Sequence, residues 1–142
     1  MRQSTLLAIA SVLAALLLTL HLADDIVRGF EKGGLPNLLA IPIVVTWLYG
    51  ALVLGERRSG YVIVLLGSLL GAFVPVIHFR VAGGVAGGGI ASSSGAFFWV
   101  WSLIAIGVAG AFSAVLSAQG LWRLARSQPP KTDRNRLRAT GA

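Results

Sequence analysis

The sequence predicts an all-α integral membrane protein, built as a four-helix transmembrane bundle with both termini cytoplasmic and a short cytoplasmic turn between helices 2 and 3. Composition is the first observation behind this. Of 142 residues, 56% are hydrophobic and 12% charged, with a mean hydropathy of +0.80, whereas a soluble domain carries about 25% charge. Charge placement is the second. No Asp, Glu, Lys or Arg lies between Lys32 and Glu56, between Arg58 and Arg80, or between Arg80 and Arg123, and apolar runs of that kind span a bilayer. The third is the bias of basic residues. Arg2, Arg57, Arg58, Arg123, Arg126, Lys131, Arg134, Arg136 and Arg138 fall on one side of the predicted bundle, against Arg28, Lys32 and Arg80 on the other. That excess fixes the orientation as N-in and C-in.

The first span, Leu6–Ala23, follows Arg2 and could be mistaken for a secretory signal. The run is long for a signal core, and cleavage after Ala23 would put His21 where a small residue is needed, so it reads as a retained helix. Gly33 and Gly34 can end an extension of this helix, and Pro36 suits the first turn of the second span, Leu35–Leu54, where its missing N–H costs nothing. Gly55–Gly60 is short enough to make an antiparallel hairpin with the third span, Tyr61–Phe79. Pro75 removes a donor and lets this helix kink. Residues 83–95 have the composition of a flexible linker, and the fourth span is Ala96–Leu121. The membrane domain thus covers 1–127, and 128–142 is a basic cytoplasmic tail that meets anionic lipid headgroups. Tyr61 and Trp122 are expected at the inner boundary, with Phe30, Phe79, Phe97, Phe98 and Trp99 near the outer one.

Several function classes drop out. The chain has no Cys, which removes disulfide frameworks, thiolate metal sites and thiol redox pairs. Its net charge of +7 gathers in the tail, so no specific nucleic-acid partner is implied. No Ser sits in a nucleophile elbow, and the predicted spans hold no Asp or Glu, which argues against an antiporter with an in-span carboxylate. The ten Arg against two Lys, with abundant Ala and Gly, suggest a GC-rich bacterial genome and hence the inner membrane.

Small residues four apart allow helix backbones to approach. Gly67 and Gly71 do so in helix 3, and Gly107–Ala111, Gly110–Ala114 and Ser113–Ser117 in helix 4. Packing inside one chain is the favoured reading, and helix 4 is the surface to use if an oligomer exists. Helices 1 and 3 each end on a His, at an offset of 57 residues, which hints at a two-plus-two repeat.

One polar cluster stands out. His21, Asp24, Asp25 and Arg28 share a face if helix 1 continues past the hydrocarbon, and His78 ends helix 3 at the same depth. His21, His78 and either carboxylate match the ligands of a divalent metal; the two His could instead bracket a haem, or the group could relay protons. The plainer reading, an Asp24–Arg28 surface pair beside interfacial His, is favoured on spacing alone. If the site is shared, the two imidazoles must meet across the bundle. The functional expectation is a non-enzymatic bacterial inner-membrane protein acting through helix association, as an accessory subunit or homo-oligomer. A metal- or haem-binding membrane protein is the alternative, and a small pore or carrier the second.

Overall fold

A computed structural model of the chain describes residues 3–81 and 95–127, all of whose regular structure is helical. Its elements are α1 (Gln3–Val27), a 3₁₀ turn (Leu35–Leu39), α2 (Ala40–Leu52), α3 (Arg58–Val81) and α4 (Ala96–Arg126). Four segments are long and apolar enough to cross a membrane: Gln3–Val27, Leu35–Leu52, Arg58–Phe79 and Ala96–Arg126. The expected linker, apart from Gly95, and the basic tail lie outside the described residues.

α1 runs further than its apolar stretch, continuing through both aspartates to Val27. Gly29, at φ +76°, turns it. The Gly29 N–H donates to the Ile26 carbonyl and the Phe30 N–H to that of Asp25, at 3.0 and 2.9 Å. This is the paired closure of a Schellman cap, so Gly29 ends the helix, ahead of the Gly33–Gly34 pair expected to do so. The second span opens as a 3₁₀ turn with Pro36 in its first positions. Pro42 then occupies the third position of α2, where an α-helical N–H has no partner to lose.

α4 packs most extensively on α3 and then on α1, while α2 leans on α3 and, less, on α1. α1 and α3 therefore face each other across a diagonal. The buried stripe of α4 runs Trp99, Ser102, Leu103, Ile106, Ala109, Gly110, Ser113, Leu116, Ser117, Gly120, the three-and-four spacing of a helix seam. A Cβ on Gly110 would lie 2.7 Å from the Ala72 nitrogen and 2.9 Å from the Ser68 carbonyl oxygen. Here the two backbones touch. Gly107 makes room for Pro75, since a Cβ there would stand 2.8 Å from its ring. Gly67 and Gly71 receive the Trp47 indole of α2, which is 2% exposed. The small-residue faces thus serve packing within the chain, including the α4 face suggested for an oligomer.

Two aromatic assignments change. Tyr61 is buried against Gly120 and Trp99 is 1% exposed, so both belong to the core and not to an interfacial belt. Outward-facing Leu13, Leu16, Leu66, Leu70, Phe73, Val108 and Val115 are exposed. An apolar exterior of this kind suits hydrocarbon surroundings.

Candidate functional site

The C-terminal ends of α1 and α3 and the N-terminal end of α4 converge at one end of the bundle. Buried there are His21 and Asp25, with His78 half-buried beside them. His21 and Asp25 stand four apart on α1, so they share a face. Pro75, seated against Gly107, lies one turn before His78 on α3. The two imidazole centroids are 5.1 Å apart with their planes at 73°. The meeting across the bundle that a shared site requires is present.

Polar contacts fix how each ring is presented. The Ser102 hydroxyl donates to the Trp99 carbonyl at 3.0 Å, which uses its single proton. His21 Nδ1, 2.8 Å from the same Oγ, must therefore be the donor in that contact. His78 Nδ1 lies 2.9 Å from the Val74 carbonyl oxygen, a group that only accepts, so it donates as well. A neutral imidazole with a proton on Nδ1 presents a lone pair on Nε2. Both Nε2 atoms face the same carboxylate oxygen, Asp25 Oδ2, at 3.6 Å from His21 and 3.3 Å from His78. Asp25 Oδ1 is occupied, accepting the indole N–H of Trp99 at 2.6 Å. With both rings neutral three acceptors converge, while a proton on His78 Nε2 would make its 3.3 Å contact a hydrogen bond to Asp25 Oδ2; the buried His21 Nε2 has no hydrogen-bond partner among the described residues.

One ligand atom from each of His21, Asp25 and His78 lies within 4.8 Å of the others. Ligands about 2.0–2.1 Å from a tetrahedral ion are separated by about 3.3–3.4 Å, close to both carboxylate–imidazole distances, while the two imidazole nitrogens are held only to within 4.8 Å of each other and would close on a shared ion. Outer hydrogen bonds from Nδ1 to Ser102 and to a backbone carbonyl are also what orient metal-bound imidazoles. The residues fit a single small ion. They suit a haem poorly, because the imidazoles are in edge contact and the Trp99 ring lies 5.4 and 5.8 Å from them, leaving no slot for a porphyrin.

Asp24, the other carboxylate considered for this cluster, does not join it. It accepts from Arg28 Nε at 2.8 Å, one turn along α1, and the Arg28 guanidinium extends over Gly95 at the start of α4. Adjacent residues on a helix diverge by about 100°, so only one aspartate can enter the bundle. The predicted span Leu6–Ala23 holds no carboxylate, and the continuation of α1 past it carries both Asp24 and Asp25 in its last turns. Sequence reasoning missed Trp99 and Ser102, which orient Asp25 and His21. Their separations of 74 and 81 residues from those partners leave no local signal.

Comparison with protein-family models, curated proteins and solved structures finds no match, so the functional argument rests on this chain's own residues.

Proposed function

We propose that the protein is a metal-binding membrane protein in which His21, Asp25 and His78 hold one divalent transition-metal ion at the end of the bundle. The observation that carries this reading is the shared aim of two imidazole Nε2 atoms at one carboxylate oxygen. Three acceptors facing each other in a buried space repel unless a cation lies between them, either a metal ion or a proton on His78 Nε2, and a metal ion also engages His21 Nε2, which has no hydrogen-bond partner among the described residues. Imidazole with carboxylate suits Zn²⁺, Fe²⁺ or Cu²⁺ better than Ca²⁺ or Mg²⁺, which favour all-oxygen sets. Three protein ligands leave one tetrahedral position open, and His78, whose side chain is 28% exposed, marks the side from which water or an exchanging ligand reaches it. Ser102 and Trp99 act by orientation: one fixes the His21 tautomer, the other holds Oδ1 so that Oδ2 points at the ion.

The association-based reading has less support, since the small-residue faces that would carry it pack within the chain. The N-in, C-in orientation remains part of the proposal on the strength of the basic-residue bias, and the bacterial inner membrane on the Arg-, Ala- and Gly-rich composition.

The test uses the full chain, purified in micelles, stripped with chelator and titrated with Zn²⁺. One equivalent per chain is expected. His21→Ala and His78→Ala should each abolish uptake, and the double variant should add little beyond either. Replacing Zn²⁺ by Co²⁺ should give the visible absorption of a tetrahedral nitrogen–oxygen site. Failure to take up Zn²⁺, Co²⁺, Fe²⁺ or Cu²⁺ stoichiometrically would refute the proposal, and a Soret band in the purified protein would replace it with haem.

A further inference from the structure

The opposite end of the bundle holds a cleft of different chemistry. The start of α3 and the end of α4 enclose a cleft of about 740 Å³, within the few hundred to about 1,000 Å³ typical of small-ligand sites. Glu56, Arg57, Arg58 and Ser127 line it on the polar side, a net positive charge, with Val62, Leu121, Trp122 and Ala125 as apolar lining. Arg126 lies 3.7 Å over the Trp122 ring, a cation–π contact that adds a third guanidinium beside the cleft. Glu56, the acid of the same turn, accepts a hydrogen bond from Ser4 of α1 at 3.1 Å. Arg57 and Arg58 have no carboxylate partner among the described residues. From Val62 the apolar lining continues along α3 onto exposed Leu66, Leu69 and Leu70.

Guanidinium groups bind phosphate oxygens bidentately, and Trp belongs at the boundary between headgroups and hydrocarbon. The cleft joins these two features to an apolar surface long enough to carry an acyl chain. We propose that it binds an anionic glycerophospholipid, with the phosphate between Arg57 and Arg58 and the acyl chains along Val62 and Leu66. Charge complementarity on the polar side and continuity with the apolar exterior select this occupant over a free phosphate, which would gain nothing from Val62, Leu121 or Trp122. The inference is independent of the metal site.

The full chain, purified in mixed micelles of phosphatidylglycerol or phosphatidylcholine, should retain one phosphatidylglycerol per chain by native mass spectrometry and no phosphatidylcholine. About 1 kcal/mol per interfacial arginine corresponds to roughly fivefold weaker retention in Arg58→Gln and on the order of 25-fold in Arg57→Gln/Arg58→Gln. Val62→Trp leaves the charge unchanged and fills the cleft, so it should also lose the bound lipid. Arg123→Gln removes an equal charge from a neighbouring cleft and should retain it. Equal retention of phosphatidylcholine, or an equal loss in Arg123→Gln, would mean diffuse attraction and overturn the site. Displacement by glycerol 3-phosphate at the lipid's own concentration would overturn the lipid assignment in favour of a soluble phosphate ligand.

Discussion

Asp25→Asn is the substitution whose sign separates a metal site from a proton shared between histidine and carboxylate. The amide has the shape of the carboxylate, so its oxygen can still accept the Trp99 indole N–H now bound at 2.6 Å. Its NH₂ would then take the place of Oδ2, facing two lone pairs, His21 Nε2 at 3.6 Å and His78 Nε2 at 3.3 Å. Two donors would meet two acceptors where three acceptors now converge. Each such bond contributes about 0.5–1.5 kcal/mol net. The Trp99 bond loses its charge assistance, a cost of about 1 kcal/mol. The balance in metal-free protein is a gain of about 1 kcal/mol, or roughly 3–5 °C in unfolding midpoint for a chain of this length.

With metal present the order reverses. An amide nitrogen is no ligand for Zn²⁺, and removing a ligand should weaken binding at least about 100-fold. Wild-type protein at 100 times its dissociation constant gains about 2.7 kcal/mol from Zn²⁺, while the variant should gain almost nothing. Thermal unfolding in micelles, with chelator and then with Zn²⁺, reads both effects. Asp25→Ala is the control: it leaves the Trp99 N–H unpaired and should cost about 1–3 kcal/mol under either condition. A proton shared as an imidazolium–carboxylate pair would make Asn strip a buried cation of its partner, a cost of about 3–5 kcal/mol. An Asn variant less stable than wild type in chelator, or still stabilised by Zn²⁺, would refute the reasoning.

Trp99→Phe keeps a ring of similar shape and deletes only the donor to Asp25, so metal-free stability should fall by about 1.5–3 kcal/mol and Zn²⁺ affinity by about tenfold, read by the same unfolding and titration. Gly110→Leu should lower the unfolding midpoint by several degrees, because its Cβ alone meets backbone at 2.7 and 2.9 Å and overpacking costs about 1–3 kcal/mol. Gly55→Ala, at φ +26° with nothing within 4 Å, tests strain without a clash and should cost about 1 kcal/mol. The proposed N-in, C-in orientation predicts that a cysteine at Ser93 reacts with an impermeant thiol reagent in spheroplasts while one at Ser127 does not; the opposite labelling would invert the topology.

The four helices long and apolar enough to cross a membrane were legible because hydropathy over about twenty residues is a strong local signal. Their ends were not. The extension of α1 past its apolar span was expected to reach Gly33–Gly34, yet the helix ends at Val27; within that extension each aspartate finds a partner: Asp24 pairs with Arg28 one turn on, and Asp25 accepts from Trp99. The first partner could be read from spacing. The second could not, because nothing local tells which way a 31-residue helix is rotated about its axis.

That rotation is set far from the site. The Gly110 backbone lies against Ser68, Gly71 and Ala72, and Gly107 against Pro75, so the depth and facing of α4 follow from contacts made in the apolar middle of the bundle. Once α4 is held there, Trp99 and Ser102 lie two or three turns along the same buried stripe. They can only face the bundle's end, where α1 and α3 bring their histidines. Trp99 then favours Asp25 over Asp24 as the inward carboxylate, and Ser102 commits His21 Nδ1 to donation. The glycines that looked like packing residues and the histidines that looked like a site are parts of one constraint: the first decide which lone pairs the second present.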